Sequence, residues 1–530
     1  MKILVSDSLS EEGLKLLKEH ADVAYMPEIS PEDLVTEIGA FDALVVRSRS
    51  RVTAEVIDAA SNLKVIGRAG VGVDNIDINK ATEKGVIVVN APHGNTISAA
   101  EHAIALLTSL ARNIAEANNS VKSGEWNRSK FTGVELTDKT LGVIGVGRIG
   151  SEVARRARGM RMKILAYDPY VSAEQAEKTG IEMVPFEELL RQSDFISLHL
   201  PMNPSTRHLI GEKELAMLKP GVRIINCARG GLIDEEALCR ALDEGRVAGA
   251  ALDVFEEEPP GKCRLLEMSN VLVTPHLGAL TREAQTNVAL QVSEQVVKAL
   301  QGEPIVSAVN VPALMPETRA ALEPFLPLMR FMGSFYLQMF GGTADEIELT
   351  YSGEIASMPL SPLTTSCLIG FLHHVVGDGV NWVNAPYIAR ERGIEVRETS
   401  TTERKNYSNL VTMTVRAGSE AHHLSGTLLN GDMRIVRVDD YRIEIIPANY
   451  MLVTTHLDKP GVVGKLGMLL GSENVNIASM QLGRKTAGGE AMMVLQVDEK
   501  MTPRAVEKVK DLDVIESARF VVMNSGLFQG

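Results

Sequence analysis

The chain is 530 residues long, and its composition excludes several classes of protein. Hydrophobic residues make up 45% of it and charged residues 23%, which is typical of a globular protein and not of a disordered one. A chain of this length exceeds one compact core, so we expect two to four domains. The formal charge of -14, without a long tail of one sign, argues against nucleic acid and anionic membranes as partners.

Cysteine spacing and hydropathy indicate where the protein works. The four cysteines show no CxxC spacing and no histidine at zinc-like offsets, so we expect no metal site and a reducing compartment. The N-terminal apolar run is shorter than that of a signal peptide. The stretch 355–377 lacks Asp, Glu, Lys and Arg but contains two prolines, which predicts a loop and a buried helix instead of a membrane span. We therefore expect a cytoplasmic protein.

Two parts of the chain alternate between strand-like and helix-like segments. Residues 1–90 contain the apolar runs KILVSD, ALVVRS, LKVIGRAG and VIVVN, separated by segments such as PEDLVTEIG. Residues 141–276 contain LGVIGVG, KILAYD, FISLHLP, VRIINCA, GAALDVF and NVLVTPH, and each but the last is followed by helix or turn signals. This alternation predicts two doubly wound α/β lobes, each with a parallel sheet.

The pattern changes beyond the second lobe. TREAQTNVALQVSEQVVKALQGE is typical of a long amphipathic helix, and four prolines between Pro312 and Pro327 resemble a linker. Residues from about 345 to 447 have a mixed α+β pattern. From Tyr450 onward the order is β-α-β-β-α-β, which is ferredoxin-like. We therefore predict four parts: a lobe of residues 1–94 and 285–311, a nucleotide-binding lobe of 95–284, an α+β domain of 312–449, and a ferredoxin-like domain of 450–530.

A glycine-rich turn joins the first strand and helix of the second lobe. Gly145 permits the tight turn, Gly147 lets the backbone approach a pyrophosphate, and Gly150 lets the helix pack on the strand. The helix N-terminus then offers unpaired N–H groups to phosphates. Asp168 ends the next strand, about 20 residues on, where a carboxylate binds the ribose hydroxyls and repels a 2′-phosphate. A Rossmann lobe that binds NAD in preference to NADP is predicted.

Hydride transfer to or from a nicotinamide must be coupled to proton transfer at a substrate oxygen, and histidine is the usual group for that proton. His199 and His276 each end a strand of the nucleotide-binding lobe, the edge at which parallel sheets bind ligands. From its position alone, His276 fits a catalytic role and a structural role equally well. His102 lies in an apolar helix and has a structural explanation.

Two loop ends add candidates for the same site. Arg229 follows a strand and precedes a glycine pair, where its guanidinium could hold a carboxylate by a bidentate fork. In LDVFEEEPP, Asp253 and three glutamates, Glu256, Glu257 and Glu258, precede a proline pair. One of these acids could orient the imidazole of His276, although an acidic run is also typical of a solvated loop. Spacing does not select among them.

Several motifs in this order resemble the D-isomer-specific 2-hydroxyacid dehydrogenase family. They are GVGRIG with YDP downstream, NCARGG, DVFEEEPP and TPHLGA. RAGVGVDNID, APHGNTISAAEH and the long C-terminal extension are similar to the branch of that family whose long members oxidise 3-phosphoglycerate. The resemblance implies a catalytic trio of Arg229, Glu258 and His276, in which Glu258 is chosen because the family's acid precedes the proline pair.

The resemblance also implies cofactor and substrate contacts. NAD would contact Arg148 and Ile149 at the pyrophosphate and Asp168 at the ribose, and the residues around the nicotinamide would be Cys227, Ala228, Arg229, Asp253, His276, Leu277, Gly278 and Ala279. The family often has a hydroxyl residue at Val71 and Leu200, which are apolar here. The substrate cleft would contain Arg47, Ser48, Arg68, Gly70 and Asn95, while Arg128 and Lys130 resemble cations that reach a neighbouring subunit's cleft. In VVRSRSRV, Arg47, Arg49 and Arg51 would share one face if the stretch were extended.

The last domain resembles an ACT domain, a fold that commonly binds amino acids between paired copies. By resemblance, His456, Asp458 and Asn476 would line a site for L-serine, although His456 replaces an aromatic residue found in some members. A domain kept only for assembly is the alternative. Residues from about 312 to 447 resemble the intervening domain of the long members. ACT pairing and the cross-subunit cations imply a homo-oligomer, a dimer or a tetramer.

The resulting prediction is an NAD-dependent enzyme that oxidises 3-phospho-D-glycerate to 3-phosphohydroxypyruvate, the first step of L-serine synthesis. The alternative within the same chemistry is a reductase of hydroxypyruvate, glyoxylate or another 2-keto acid, which the arginine-serine run and the extension disfavour. A non-catalytic protein that senses NAD is a third hypothesis, which the intact trio does not exclude.

Overall fold

The computed structural model describes residues 1–172, 174, 180–303, 305–311, 316–403 and 406–523. The first lobe has the strands β1 (Lys2–Val5), β2 (Asp22–Tyr25), β3 (Ala43–Val46), β4 (Val65–Arg68) and β5 (Ile87–Asn90), and the helices α1 (Glu11–His20), α2 (Pro31–Glu37), α3 (Ala54–Ala59) and α4 (Ile78–Glu83). The sheet is parallel, in the order β2-β1-β3-β4-β5. Each helix begins after a side chain that accepts a backbone N–H bond, from Ser10, Ser30, Thr53 and Asp77.

The second lobe is a larger parallel sheet. Its strands are β6 (Thr140–Ile144), β7 (Lys163–Tyr167), β8 (Glu182–Met183), β9 (Phe195–Leu198), β10 (Val222–Asn226), β11 (Val247–Leu252) and β12 (Val271–Val273). Its helices are α5 (Thr96–Ala111), α6 (Ile114–Lys122), α7 (Arg148–Gly159), α8 (Phe186–Gln192), α9 (Glu212–Met217) and α10 (Glu235–Asp243). The strand order is β12-β11-β10-β9-β6-β7-β8. Both doubly wound lobes are confirmed.

Two details of this sheet differ from the sequence prediction. Strand β8 is only two residues long, which is too short to show a hydrophobic pattern. The apolar run in NVLVTPH predicts a buried strand, but β12 is the edge strand beside β11, and none of its three residues is fully buried. An edge strand has one uncovered side, which explains the exposure of Val273.

A long helix returns the chain to the first lobe. Helix α11 (Arg282–Gln301) packs Val292 and Val296 against the core of the first sheet. A Cβ at Gly67 would lie 2.5 Å from Val296, and one at Gly13 would lie 2.7 Å from Ala289, so glycine permits both close approaches. We propose the four-part division predicted above, and this packing supports assigning residues 285–311 to the first lobe.

The third unit is a six-stranded sheet covered by helices. It contains α12 (Pro316–Leu322), α13 (Phe325–Phe340), β13 (Glu346–Gly353), α14 (Ser361–Val376), α15 (Ala385–Glu391), β14 (Glu395–Thr401), β15 (Asn409–Ala417), β16 (Glu420–Leu429), β17 (Asp432–Val438) and β18 (Tyr441–Ile445). The strand order is β14-β13-β15-β16-β17-β18, antiparallel except for β13 and β14. Residues 312–315, where the predicted domain begins, lie outside the described residues.

The last unit has the predicted ferredoxin-like order. Its elements are β19 (Tyr450–Leu457), α16 (Val462–Ser472), β20 (Ile477–Arg484), β21 (Glu490–Val497), α17 (Pro503–Lys510) and β22 (Ile515–Val522). The antiparallel sheet has the order β20-β21-β19-β22, and residues 524–530 of the predicted domain lie outside the described residues. One face of this sheet shares a core with α13 and α14. The side chain of Gln338 makes both backbone hydrogen bonds of Val522.

None of the described helices is long and apolar enough to cross a membrane. The apolar stretch 355–377 instead contains α14, which is buried along most of its length against α13. That part of the sequence prediction is confirmed.

We expect Gly370→Ala to lower the thermal unfolding midpoint by several degrees. The added Cβ would lie 2.0 Å from the carbonyl oxygen of Arg330, so α13 and α14 would have to separate, and overpacking of this kind costs about 1–3 kcal/mol. Differential scanning fluorimetry measures the shift. The matched control is Gly467→Ala on α16, where the new Cβ meets no atom within 4 Å; equal midpoints for the two variants would contradict the prediction.

Candidate active site

The glycine-rich turn lies between β6 and α7 and leaves open space at its centre. Gly145 has φ 92°, and a Cβ there would lie 2.6 Å from the carbonyl oxygen of His199. A Cβ at Gly150 would lie 2.0 Å from the carbonyl oxygen of Gly145, so helix and strand meet only because both are glycine. Gly147, at the start of α7, faces no atom within 4 Å. The turn therefore fits a pyrophosphate approaching the helix N-terminus.

Asp168 follows β7 and is tied to this turn. Its Oδ2 accepts the N–H of Val146 at 2.9 Å, and its Oδ1 accepts the N–H of Tyr170 at 2.9 Å. The carboxylate is thus fixed beside the glycine turn, the position at which a ribose would be bound. Arg148 extends from the start of α7 and donates a bond to the carbonyl oxygen of Pro92 at 3.3 Å.

A groove between the lobes continues from this turn. It is lined by Val71, Asn95, Gly147, Arg148, Ile149, Leu200, Cys227, Ala228, Arg229, His276, Gly278 and Ala279, among others. Most of the predicted cofactor contacts therefore line one groove, and those that do not line it are Gly145, Gly150, Asp168, Asp253 and Leu277. Burial raises the pKa of the Cys227 thiol far above its ordinary value, with a further contribution from Asp253, so the thiol is protonated.

His276 and Glu258 form a close pair at the cleft. Nδ1 of His276 lies 2.6 Å from Oε2 of Glu258. Burial alone would raise the pKa of Glu258, but the hydrogen bond and charge of His276 and the N–H of Phe255 hold it below its ordinary value. The ionised carboxylate therefore accepts a hydrogen bond from Nδ1–H, which keeps the proton on Nδ1 and leaves Nε2 free to accept a proton from a ligand.

The segment after β12 is held by a buried carboxylate. The Asp253 side chain is 0% exposed. Its Oδ1 accepts the N–H of Leu277 at 2.7 Å and the hydroxyl of Thr274 at 2.5 Å, and its Oδ2 accepts the N–H of Gly278 at 2.8 Å. Nε2 of His102 lies 3.1 Å from the same Oδ1. Despite burial, these bonds hold the pKa of Asp253 below its ordinary value.

Two arginines line the same cavity as His276 and Glu258. Arg68 ends β4, and Arg229 follows β10. Their guanidinium groups pack against the backbone of Gly70 and Gly72, where a Cβ would overlap them. Burial and the nearby charge of Arg229 lower the pKa of Arg68 to about 10, so it remains charged at neutral pH. Arg229 donates to Asp74 at 3.2 Å and to the carbonyl oxygen of Ala228 at 2.7 Å.

The remaining predicted substrate residues divide into two groups. Ser48, Arg68, Asn95, Arg229, Glu258 and His276 line one cavity between the lobes. Nε of Arg68 and Oδ1 of Asn95 are buried without a hydrogen-bond partner among the described residues. Arg47 and Gly70 do not line this cavity, although Gly70 supports Arg68 from below.

The stretch from Arg47 to Arg51 is not extended, so its three arginines do not share one face. Asp7 accepts the N–H groups of Arg47 and Ser50 and the Ser50 hydroxyl, and so folds the stretch into a loop. Arg49 lies 3.5 Å from Asp7 and donates to the carbonyl oxygen of Ser6, so it points away from the cleft. Only Arg51 of the alternating arginines reaches the rim of the cavity.

Arg128 and Lys130 lie on an exposed turn after α6, outside the cavity of their own chain. Nζ of Lys130 lies 5.7 Å from the ring centroid of Phe131. Nothing in a single chain brings these cations to the cleft, which leaves their predicted reach into a neighbouring subunit as a prediction.

Two other histidines near the cleft have structural partners. Burial lowers the pKa of His199 to about 4, and its Nε2 lies 2.9 Å from the Ser197 hydroxyl. His208 lies 3.0 Å from Glu256 at the outer rim. Neither is paired with Glu258, which distinguishes them from His276.

The three residues predicted for serine are not brought together within one chain. His456 is buried, and its Nδ1 has no hydrogen-bond partner among the described residues. Asp458 accepts from Arg484 and from the N–H of Gly488, each at 3.2 Å. Asn476 donates to Asp498 at 2.6 Å. In the sheet register His456 and Arg484 both pair with Ala491, whereas Ile477 pairs with Val497, so Asn476 lies at the opposite end.

No group of three or more His, Cys, Asp or Glu side chains in the described part of the chain is arranged to hold a metal ion. The four cysteines are free of disulfides. One contributor to the site was missed: His102 looked structural because it sits in an apolar helix, and only the fold brings it to Asp253.

The architecture and the site define an oxidoreductase with an NAD-binding lobe. The family model of the NAD-binding domain of D-isomer specific 2-hydroxyacid dehydrogenases matches residues 104–278. Those of the D-3-phosphoglycerate dehydrogenase intervening domain and of the ACT domain match residues 321–439 and 450–514.

Curated relatives extend this match to nearly the whole chain. A D-3-phosphoglycerate dehydrogenase of Synechocystis sp. is 46% identical over 98% of this chain and 94% of its own. One of Methanocaldococcus jannaschii is 45% identical over 98% of this chain and 99% of its own. The chain belongs to the D-3-phosphoglycerate dehydrogenase family, and it is an NAD-dependent oxidoreductase.

Solved structures resemble the two α/β lobes. A glyoxylate reductase from Paecilomyes thermophila is 36% identical, covers 58% of this chain and 98% of its own, and gives a TM-score of 0.54. D-lactate dehydrogenase from Escherichia coli is 30% identical, covers 58% of this chain and 100% of its own, and gives a TM-score of 0.52. The two lobes are thus a dehydrogenase scaffold, and the remaining units are additions to it.

We expect Gly147→Ala to weaken NADH binding about 10-fold or more without changing the thermal unfolding midpoint. The new Cβ meets no protein atom, but it would occupy the space that the pyrophosphate needs. NADH fluorescence titration and a melting curve measure the two effects. Gly159→Ala, at the other end of α7 and also without a neighbour within 4 Å, is the control; unchanged NADH affinity in Gly147→Ala would refute the assignment.

Proposed function

We propose that this protein oxidises 3-phospho-D-glycerate to 3-phosphohydroxypyruvate with NAD, the first step of L-serine synthesis. The observation that carries the proposal is the cleft that Arg68 and Arg229 line together with the hydrogen-bonded pair of His276 and Glu258. The curated relatives that match both lobes and both additional domains bear the name of this activity.

The chain's own residues divide the work of the reaction. Arg229 holds the substrate carboxylate through a guanidinium that is already oriented by Asp74 and the Ala228 carbonyl. Nε2 of His276 removes the proton of the C2 hydroxyl, and the ionised Glu258 stabilises the imidazolium that results. NAD, which Gly147, Arg148 and Asp168 would hold, would supply the acceptor for the hydride that leaves C2. The products are the 2-keto acid, NADH and a proton on His276, which is later released to solvent.

The substrate's phosphate requires further positive charge in a protein of net charge -14. Arg68, which lines the cavity between the lobes, would supply it through its guanidinium N–H groups. Ser48 lines the same cavity and offers a hydroxyl. The exposed Arg128 and Lys130 would add charge from a second copy of the chain.

The preference for NAD over NADP rests on Asp168. Its carboxylate is held by two backbone N–H groups at the end of β7, so it cannot turn away from an incoming ribose. A fixed negative charge there accepts bonds from the ribose hydroxyls and repels a 2′-phosphate.

A reductase of glyoxylate, hydroxypyruvate or another 2-keto acid is the second candidate. The glyoxylate reductase that resembles the two lobes favours it, since the trio serves either direction of the same chemistry. The intervening and ACT units argue for the first candidate, because that solved structure covers only 58% of this chain.

We expect NADH formation with 3-phosphoglycerate to exceed that with glycerate or D-lactate, and His276→Asn to lower it at least ~100-fold, the usual contribution of a general base. Absorbance at the NADH band follows the reaction. NADH affinity should be largely retained, because the glycine turn and Asp168 are unchanged. A wild type that ignores the phosphorylated acid would overturn the proposal.

A matched control separates this role from a general effect of removing a histidine. His208→Asn breaks a second His–Glu pair, with Glu256, at the rim of the same cleft. It should keep the wild-type rate within about 3-fold, since a surface pair of this kind contributes little. Equal losses in the two variants would contradict the assignment of His276.

Regulation and assembly complete the proposal. The ACT unit is the natural site of an effector, and we propose L-serine, bound with Asp458 facing its ammonium group. Because Asp458 and Asn476 lie at opposite ends of one sheet, a site that uses both needs two chains. We therefore also propose a homo-oligomer, a dimer or a tetramer, located in the cytoplasm, where the four unpaired cysteines stay reduced.

We expect isothermal titration of the whole protein with L-serine to show binding that Asp458→Asn weakens about 10-fold or more, because a charged hydrogen bond is lost. Asp513→Asn removes an exposed acid of the same unit that contacts Lys465 and should leave the affinity unchanged. If serine binds both variants equally, Asp458 is not part of its site; if it binds neither variant nor the wild type, the domain serves assembly.

A further inference from the structure

His102 makes a buried contact that the proposed chemistry does not use. It lies on α5, and its side chain is 18% exposed. Its Nε2 lies 3.1 Å from Oδ1 of Asp253 and 3.2 Å from the hydroxyl oxygen of Thr274. The neighbours on the same helix, Ala99, Ala103 and Leu106, are apolar and buried. A polar group on this face of α5 therefore serves a specific partner.

That partner is the carboxylate beneath the catalytic loop. Asp253 already accepts bonds from Thr274, Leu277 and Gly278, and His102 supplies the fourth donor. Burial raises the pKa of Asp253, and the bond to His102 is the largest of the effects that lower it. A buried carboxylate that loses one donor is strongly destabilised, because no water replaces it.

The carboxylate in turn fixes the backbone next to His276. The N–H of His276 donates to the carbonyl oxygen of Asp253 at 2.9 Å, and the next two N–H groups donate to the Asp253 side chain. His276 has φ 54°, a left-handed conformation that a residue with a side chain adopts only under constraint. The bonds around Asp253 provide that constraint.

Helix α5 is tied to the same loop at a second point. The hydroxyl of Ser98 donates to the carbonyl oxygen of Gly278 at 2.7 Å and is buried. Ser98 and His102 are one helical turn apart, so they lie on the same face of α5. Ser98 thus binds a carbonyl oxygen of the loop directly. His102 contacts Asp253, which in turn accepts the N–H groups of the loop.

We infer that His102 is a positioning residue, which through Asp253 and Thr274 holds the His276 loop in the conformation required for proton transfer. The inference rests on the proposed function only in naming proton transfer from the 2-hydroxy acid as the step affected. In this view two histidine–carboxylate pairs act together. His276, paired with Glu258, takes the substrate proton, and His102 and Asp253 hold the loop on which His276 lies.

The test compares His102→Leu with His102→Gln. Leucine fills a similar volume without a donor, whereas the amide of glutamine restores an N–H near the position of Nε2. We expect His102→Leu to lower kcat about 10- to 100-fold, as for loss of a bond to a charged group, and to change KM and the NADH dissociation constant by a smaller factor than kcat. His102→Gln should retain kcat within about 3-fold of the wild type.

A role in packing alone predicts another pattern. Loss of kcat in both variants alike, accompanied by equal drops in melting temperature, would refute the inference, and so would a wild-type rate in His102→Leu. Crystal structures of the two variants give a readout that needs no turnover: His276 should leave its left-handed conformation in His102→Leu and keep it in His102→Gln.

The outcome is separable from that of the proposed function. Rates are compared between variant and wild type on whichever 2-hydroxy acid the wild type oxidises, so a different substrate leaves the comparison intact. If the wild type oxidises none, the proposed function fails, while the conformation of His276 in the variant structures still decides the role of His102.

Discussion

The parallel direction of the strands brings the main residues of the candidate active site to one cleft. In each of the two lobes the strands run in the same direction, so the residues that follow them meet at one edge of the sheet. Arg68 ends β4, and Arg229, Asp253 and His276 follow β10, β11 and β12. The cleft forms where the two edges face each other. Without this constraint, residues more than 200 positions apart would have no common site.

Local sequence patterns predicted much of the fold, and the predictions that were wrong or incomplete share a cause. The glycine turn, the strand ends and the β-α-β-β-α-β order depend on neighbours in sequence, and the patterns predicted them. The fold of the Arg47–Arg51 stretch depends on Asp7, and the partner of His102 is 151 positions away on another element. The edge position of β12 is likewise set by strand order, which the sequence of one strand does not contain.

The candidate site shows the same division. Spacing alone left four acids open as the partner of His276, and the resemblance to a family selected Glu258, which lies 2.6 Å from it. The serine residues were chosen in the same way, yet the sheet register separates Asp458 from Asn476. The proposed serine site would be formed between chains, and such a site leaves no pattern within one chain from which its geometry could be predicted.

The ACT and intervening units are joined to each other and to the first lobe by packed contacts. The ACT sheet shares a core with the intervening unit, and Gln338 closes the end of its β22 edge. The intervening unit in turn contacts the first lobe at Gly85, whose carbonyl oxygen accepts a bond from Asn381 at 3.0 Å. A Cβ at Gly85 would lie 2.3 Å from that amide. A continuous path of packed contacts therefore leads from the ACT unit to the lobe that carries Arg68.

The return of α11 to the first lobe means that the chain crosses between the lobes twice, near residues 90–96 and 276–282. Two covalent crossings favour rotation of one lobe relative to the other about the line that joins them, over other relative movements. Asn95 stands at one crossing and His276 at the other. A rotation about that line would leave His276 beside Glu258, since both belong to one lobe, and would shift Arg68, on the other lobe, relative to them.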